Sequence, residues 1–124
     1  MRPFLYLIAG GGAGTVARYY LSSVTHQYLD KRFPYGTLAV NLAGCALLGV
    51  FAVISETKLH LKPGIQFALM IGFCGAFTTF STFILEISHL IKAGESVKAL
   101  AYLLASVTIG FLLFRLGMLV GEWF

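Results

Sequence analysis

Apolar residues in this chain come in four long runs, Phe4–Leu21, Gly36–Ser55, Ile65–Ile91 and Val97–Val120. Each run reaches the roughly 20 residues that a helix needs to cross about 30 Å of hydrocarbon. Between them lie the connectors Ser22–Tyr35, Glu56–Gly64 and Lys92–Ser96, which hold most of the charges together with Pro34 and Pro63. This pattern predicts an all-α membrane protein: one domain, residues 1–124, with four transmembrane helices. The first run continues past Gly14 with no small-residue cleavage site leading into a soluble domain. It is expected to remain as a helix of the mature protein.

The third run differs from the others at its centre, where it reads GFCGAFTTFSTF from Gly72 to Phe83. A buried apolar helix has no need of two glycines followed by the hydroxyls of Thr78, Thr79, Ser81 and Thr82. The expectation is a helix broken at its middle, around Gly72, Gly75 and Thr78. Such a break frees carbonyls that hydrocarbon cannot satisfy, so it is tolerated only around a cavity or an ion. A bulky side chain at Gly75 is expected to distort it. Beyond the break, helical spacing puts Thr79, Thr82, Phe83 and Glu86 in one stripe and sets Phe80 a turn from Phe83. Glu86 is expected to pair with His89 or with a loop lysine.

Composition sharpens the membrane assignment. Of 124 residues 58% are hydrophobic and 11% charged, with a mean hydropathy of +0.85. Soluble domains carry about 25% charged residues, so this chain has too few to cover a water-facing surface. The net charge of +4 comes from basic residues scattered singly. Anionic lipid headgroups account for them more simply than a nucleic acid does. Cys45 and Cys74 both fall inside apolar runs and read as small packing residues, not as a disulfide.

The charges do not choose an orientation. With four spans, one side carries Arg2, Lys58 and Lys62, plus Arg115 if it snorkels that way. The other carries Lys31, Arg32, Lys92 and Lys98, plus Arg18. Neither side has the excess that fixes topology. A chain so balanced is expected to insert both ways up and to pair with an oppositely oriented copy about an axis in the membrane plane, as an antiparallel dual-topology dimer.

The polar residues at depth suggest a chemistry. The glycines of AGGGAGTVARYY have neither a following Lys-Ser/Thr nor a preceding strand, so they suit close helix approach and not phosphate binding. Arg18 lies about a turn from the loop, and either snorkels to the interface or draws anions into a vestibule. Asn41 is the only asparagine and shares a face with Thr37 at i, i+4. It either ties helices together or offers its NH₂ to an anion. Tyr102, Ser106 and Gly110 recur every fourth residue, giving the last run a short polar strip. Hydroxyls, an amide and phenyl rims with positive edges can replace an anion's hydration without trapping it. With no nucleophile–base pair, metal cluster or cofactor box in the sequence, the chain is not expected to be an enzyme. A small multidrug-type proton-coupled cation exporter, the alternative, needs a membrane-embedded carboxylate, ideally in the first run; that run has none, and Glu86 lies well past the midpoint of the third. A purely structural membrane subunit would leave Asn41 and the hydroxyl–phenylalanine box unexplained.

GGGAGTVARYY, PYGTLAVNLAGCALLG and above all GFCGAFTTFSTF resemble the small fluoride channel family (Fluc, also called CrcB), in order and over nearly the full length. The resemblance implies an antiparallel dimer with two fluoride pores in the bacterial plasma (inner) membrane. It exports cytoplasmic fluoride passively and so relieves its toxicity. The second subunit is an identical copy or an unlike paralogue. It also implies a structural sodium ion at the dimer centre, held by the main-chain carbonyls of Gly75 and Thr78. Phe80, Phe83 and Asn41 correspond to the family's pore residues. The hydroxyls of Thr79, Ser81 and Thr82 fall in the same box, while Thr37, Tyr102 and Ser106 match its polar track and Arg18 its first-helix arginine. Gly110 departs from the pattern, standing where many members continue the track with a hydroxyl.

Overall fold

The computed structural model describes residues 2–58 and 60–124, Lys58 by its backbone alone, so the Lys58 side chain counted above lies outside the described residues. Every regular element is helical. Helix α1 spans Arg2–Tyr28 and α2 spans Tyr35–Val53, closing in a wider π-helical turn, Ile54–Lys58. A third segment begins with α3, Pro63–Gln66, where proline at the first helical position uses its fixed φ and missing N–H without loss. It widens into a π-helical stretch, Phe67–Cys74, and ends in the short α4, Gly75–Phe77. Helix α5 spans Phe80–Lys92 and α6 spans Ser96–Glu122. Between them Gly94 takes φ +77, a conformation that suits glycine at a helix C-terminus.

Among the described residues three stretches are long and apolar enough to cross a membrane: Tyr35–Thr57, Pro63–Lys92 and Ser96–Glu122. Four were expected. At 27 residues α1 has the length, but its glycines, hydroxyls and arginines dilute its hydropathy. It also runs further than the sequence pattern indicated, through Ser22–Tyr28. No glycine or proline interrupts it there, and Thr25 Oγ1 donates back to the Leu21 carbonyl at 2.7 Å.

Two parallel helix pairs organise the chain. Along α1 and the third segment the contacts rise together: Tyr6 lies against Gly64, Gly10 against Ala68, and Gly14 against Phe73. At Gly10 and Gly14 an added Cβ would run into the facing backbone carbonyl, so only glycine permits this approach. Likewise α2 and α6 rise together, Gly49 meeting the Phe114 carbonyl and Gly117 the Ala46 carbonyl. Outward-facing residues are largely apolar, including Val16, Val97, Val107 and Phe111, each more than three-fifths exposed. On a chain free in water such a surface would be a liability, whereas lipid or a partner covers it without penalty.

Candidate functional site

The interruption of the third segment is built by two threonines. Thr78 (φ −89, ψ 160) and Thr79 (φ −150, ψ 119) are extended between α4 and α5. Gly72 and Gly75, read from the sequence as part of the break, both stay helical. Gly72 serves proximity instead, since a Cβ there would stand 3.1 Å from Gly10 Cα. Gly75 is exposed, and a Cβ on it would meet nothing within 4 Å. A bulky residue at Gly75 therefore does not distort the break within one chain.

Asn41 holds the extended backbone in place. Its Nδ2 donates to the Thr79 carbonyl at 3.0 Å, and the Thr79 N–H donates to its Oδ1 at 2.8 Å. One amide thus makes both hydrogen bonds that a neighbouring backbone would make, satisfying a peptide group that has left its helix. In an unbroken helix the Thr79 N–H would close on the Gly75 carbonyl, so the clamp also takes that carbonyl's usual donor. Thr79 then starts α5, its Oγ1 accepting from the Thr82 N–H at 3.4 Å and lying 3.1 Å from Thr82 Oγ1. The Thr78 N–H and hydroxyl both donate to the Cys74 carbonyl, at 3.0 and 2.9 Å, ending the helix before them.

Arg18 reaches the same place from the other side. Following Tyr6, Gly10 and Gly14 at four-residue intervals along α1, it arrives level with the break, and its Nη1 donates to the Thr78 carbonyl at 3.4 Å. It points inward, not toward the loop. Arg18, Ser22, His26, Thr37, Thr79 and Thr82 line a recess of about 470 Å³ that ends at the Asn41-held backbone. On the far side of the break lies a second, mostly apolar recess, lined by Asn41, Gly44, Cys45, Met70, Gly75 and Phe80 among others.

Glu86 proved to be the hub that the sequence did not disclose. Among the described residues neither His89 nor a lysine bonds to it. Its Oε1 accepts from the Thr37 hydroxyl and its Oε2 from the Tyr102 hydroxyl, each at 2.7 Å. The only hint was distance along the stripe, since Glu86 follows Thr79 and Thr82 on one face of α5. Tyr102 is fully buried, and Phe83 packs edge-on against it with centroids 4.8 Å apart. Phe80 and Phe83 lie 5.8 Å apart, but Phe83 is 4% exposed and Phe80 74% exposed. Phe80 and Ser81 both face outward from this chain. The Ser106 hydroxyl, a turn beyond Tyr102, is buried without a hydrogen-bond partner among the described residues. Thr37, Tyr102, Asn41, Thr79, Thr82 and Arg18 are therefore gathered in one region, whereas Phe80 and Ser81 wait on its outer face. Among the described residues no group of three His, Cys, Asp or Glu is placed to hold a metal ion.

Comparison with known proteins identifies the family. Residues 5–118 match the family described as CrcB-like protein, Camphor Resistance (CrcB). A fluoride-specific ion channel FluC of Phocaeicola vulgatus is 40% identical over 123 residues, covering 99% of this chain and 98% of its own. A protein of the same description from Acidobacterium capsulatum is 38% identical over 119 residues, 96% of this chain and 95% of its own. Another, from Hahella chejuensis, is 44% identical over 103 residues, 83% and 81% of the respective chains. With the match running through all the helices that build the break and its clamp, the chain belongs to the CrcB-like family.

Proposed function

We propose that this protein is a fluoride-selective channel of the bacterial inner membrane, through which cytoplasmic fluoride leaves down its gradient. The observation that carries the proposal is the break at Thr78–Thr79, held by the Asn41 amide, with threonine hydroxyls and the Arg18 guanidinium beside it. Irregular backbone at membrane depth is tolerated only where protein buries it or where it lines a water-filled cavity, and Thr79 lines the recess that Arg18 enters. Neutral hydroxyls with phenyl and phenol edges compensate lost hydration without holding the ion too firmly to leave. Arg18, half-buried at the inner end of the polar recess, supplies the positive potential that draws an anion in. The relatives' description as fluoride-specific channels supports fluoride as that anion. Fluoride enters cells as a neutral weak acid and dissociates inside, so a passive route for the anion suffices to protect the cell.

In the same reading two copies assemble in opposite orientations, either identical or with an unlike paralogue. The exposed Phe80, the open surface at Gly75 and the apolar recess between them support a partner on this face. Phe80 and Phe83 then present ring edges to the path, along with Thr37, Tyr102 and Ser106. A sodium ion at the centre would be held by the Gly75 and Thr78 carbonyls of both copies. Two features fit it: the Thr79 N–H is turned away from Gly75 toward Asn41, and Gly75 faces open space. Bound there, a monovalent cation would supply the partner that the Gly75 carbonyl loses to the Asn41 clamp, share the Thr78 carbonyl with Arg18, and set a fixed positive charge between the two paths. The proton-coupled exporter reading finds no support, because α1 contains no carboxylate.

The test is efflux from liposomes. Purified protein reconstituted into vesicles loaded with potassium fluoride should release fluoride rapidly once valinomycin balances charge, and matched vesicles loaded with potassium chloride should release chloride slowly if at all. Equal release of both ions, or none of either, removes fluoride channelling as the function.

A further inference from the structure

Along α1 the step from Gly10 through Gly14 to Arg18 continues at the same four-residue interval to Ser22 and His26, both half-buried. These two line the polar recess outward of Arg18, with His26 about 12 Å beyond it along the helix axis, near the connector to α2. Across from them is Gly36, buried in the first turn of α2. A Cβ built there would stand 2.5 Å from Ser22 Oγ and 2.7 Å from His26 Nε2. At Gly10, Gly14, Gly49 and Gly117 the nearest atom is a facing carbonyl oxygen, and glycine there serves helix approach. At Gly36 the nearest atoms are instead the polar ends of two side chains, converging on the space a side chain would take. Neither end has a hydrogen-bond partner among the described residues. The walls of the recess hold Arg18 and no carboxylate. Helix α2 carries no Asp, Glu, Lys, Arg or His, Glu86 of α5 is engaged by Thr37 and Tyr102, and Asp30 in the connector accepts from the Arg32 N–H.

We infer that Ser22 and His26, facing the space kept open by Gly36, form a binding site for a small, partly hydrated anion at the mouth of the recess, loading it ahead of Arg18. The inference deepens the channel reading, on which the transport role of the site rests. A serine hydroxyl donates one hydrogen bond, and an imidazole donates through one nitrogen when neutral and through both when charged. Two such donors aimed at one point suit an ion that keeps part of its water on the open side. Singly each is weak enough to release the ion inward, as conduction through successive sites requires. Arg18, just over two helical turns deeper, supplies the attraction for the next step.

The experiment reads binding and transport separately. For binding, the protein is labelled with 15N in its three histidines, and the ring signal absent from the His26 variants is followed in detergent. Sodium fluoride, added at constant ionic strength, should move that signal saturably in the parent. In S22A the same shift should need several-fold more fluoride, and in G36A, where a methyl group occupies the site, it should vanish. For transport, efflux from liposomes is measured over a range of fluoride concentrations. S22A and H26A should each raise the half-saturating concentration roughly fivefold, the worth of one neutral hydrogen bond, with the maximal rate little changed. H26Q keeps a neutral donor and should stay near the parent. If no imidazole signal of the parent moves with fluoride, the site is overturned without recourse to any variant. Unchanged half-saturation in S22A and H26A, or a fall in maximal rate alone, would mark both side chains as packing and overturn it too. A parent that releases no fluoride while its His26 signal still saturates removes the channel reading and leaves the anion site standing; conduction with an inert His26 signal sinks the site alone.

Discussion

Asn41 shows how one side chain decides the character of a region. Its amide matches the donor and acceptor of the Thr79 peptide, so extended backbone survives at a depth where water is scarce. Replacing it by leucine, close to it in size, leaves an N–H and a C=O unpaired at about 1–3 kcal/mol each. We expect N41L to lower the unfolding temperature in detergent by several degrees and to lose fluoride efflux together with that stability. A variant as stable as the parent yet unable to conduct would place the amide on the ion and not on the backbone. Phe80 and Phe83, alike in sequence, part company at this scale. Phe83 is fixed by Tyr102 inside the chain, while Phe80 has no comparable enclosure until something covers it.

Among the elements, the close contact between α1 and the third segment is what carries Arg18 to the break. Glycines at positions 10 and 14 bring the backbones together, and the next step of the same ladder is a guanidinium instead of a hydrogen. The third segment answers with a π-helical stretch, a wider winding often found at functional sites. Its exit through α4 leaves Gly75 on an open face. Gly75→Leu is therefore expected to fold as a single chain, with helix content and α1 packing unchanged, and to fail at pairing. Crosslinking in membranes should show the monomer where the parent gives a dimer. A G75L chain that remains paired and conducts would mean the partner does not approach at Gly75.

For the whole molecule, two properties reach beyond one chain: its orientation and its ionic needs. The balance of basic residues across the connectors predicts insertion in both directions. A cysteine introduced at a single loop position, in a background lacking Cys45 and Cys74, should be labelled by a membrane-impermeant thiol reagent from either side of the membrane. Labelling from one side only would rule out dual topology. Sodium is the second test. Exchanging it in every buffer for N-methylglucamine should weaken the dimer or its conduction, because the cation proposed at Gly75 and Thr78 would be lost. Full assembly and flux after complete exchange, with no other cation bound, would dispose of the structural ion.

The sequence by itself determined the helices, the membrane setting and the neighbourhood of the break. All three are written locally, in the length of apolar runs and in hydroxyls crowded where hydrocarbon should be. It also put Thr37 and Asn41 on one face and made Tyr102 and Ser106 a strip, since four-residue spacing is a property of any helix. What it could not supply was contact between runs. It centred the break on Gly72, Gly75 and Thr78, whereas the structure keeps both glycines helical and extends Thr78 and Thr79, because the bond that stabilises the extended pair comes from Asn41 on another helix. It sought a partner for Glu86 nearby in the chain, and the partners came from α2 and α6. Arg18 could snorkel or turn inward on the sequence alone; the parallel packing of α1 on the third segment turned it inward. Local spacing fixes which residues share a face, but only the packing of helices against one another fixes what that face meets.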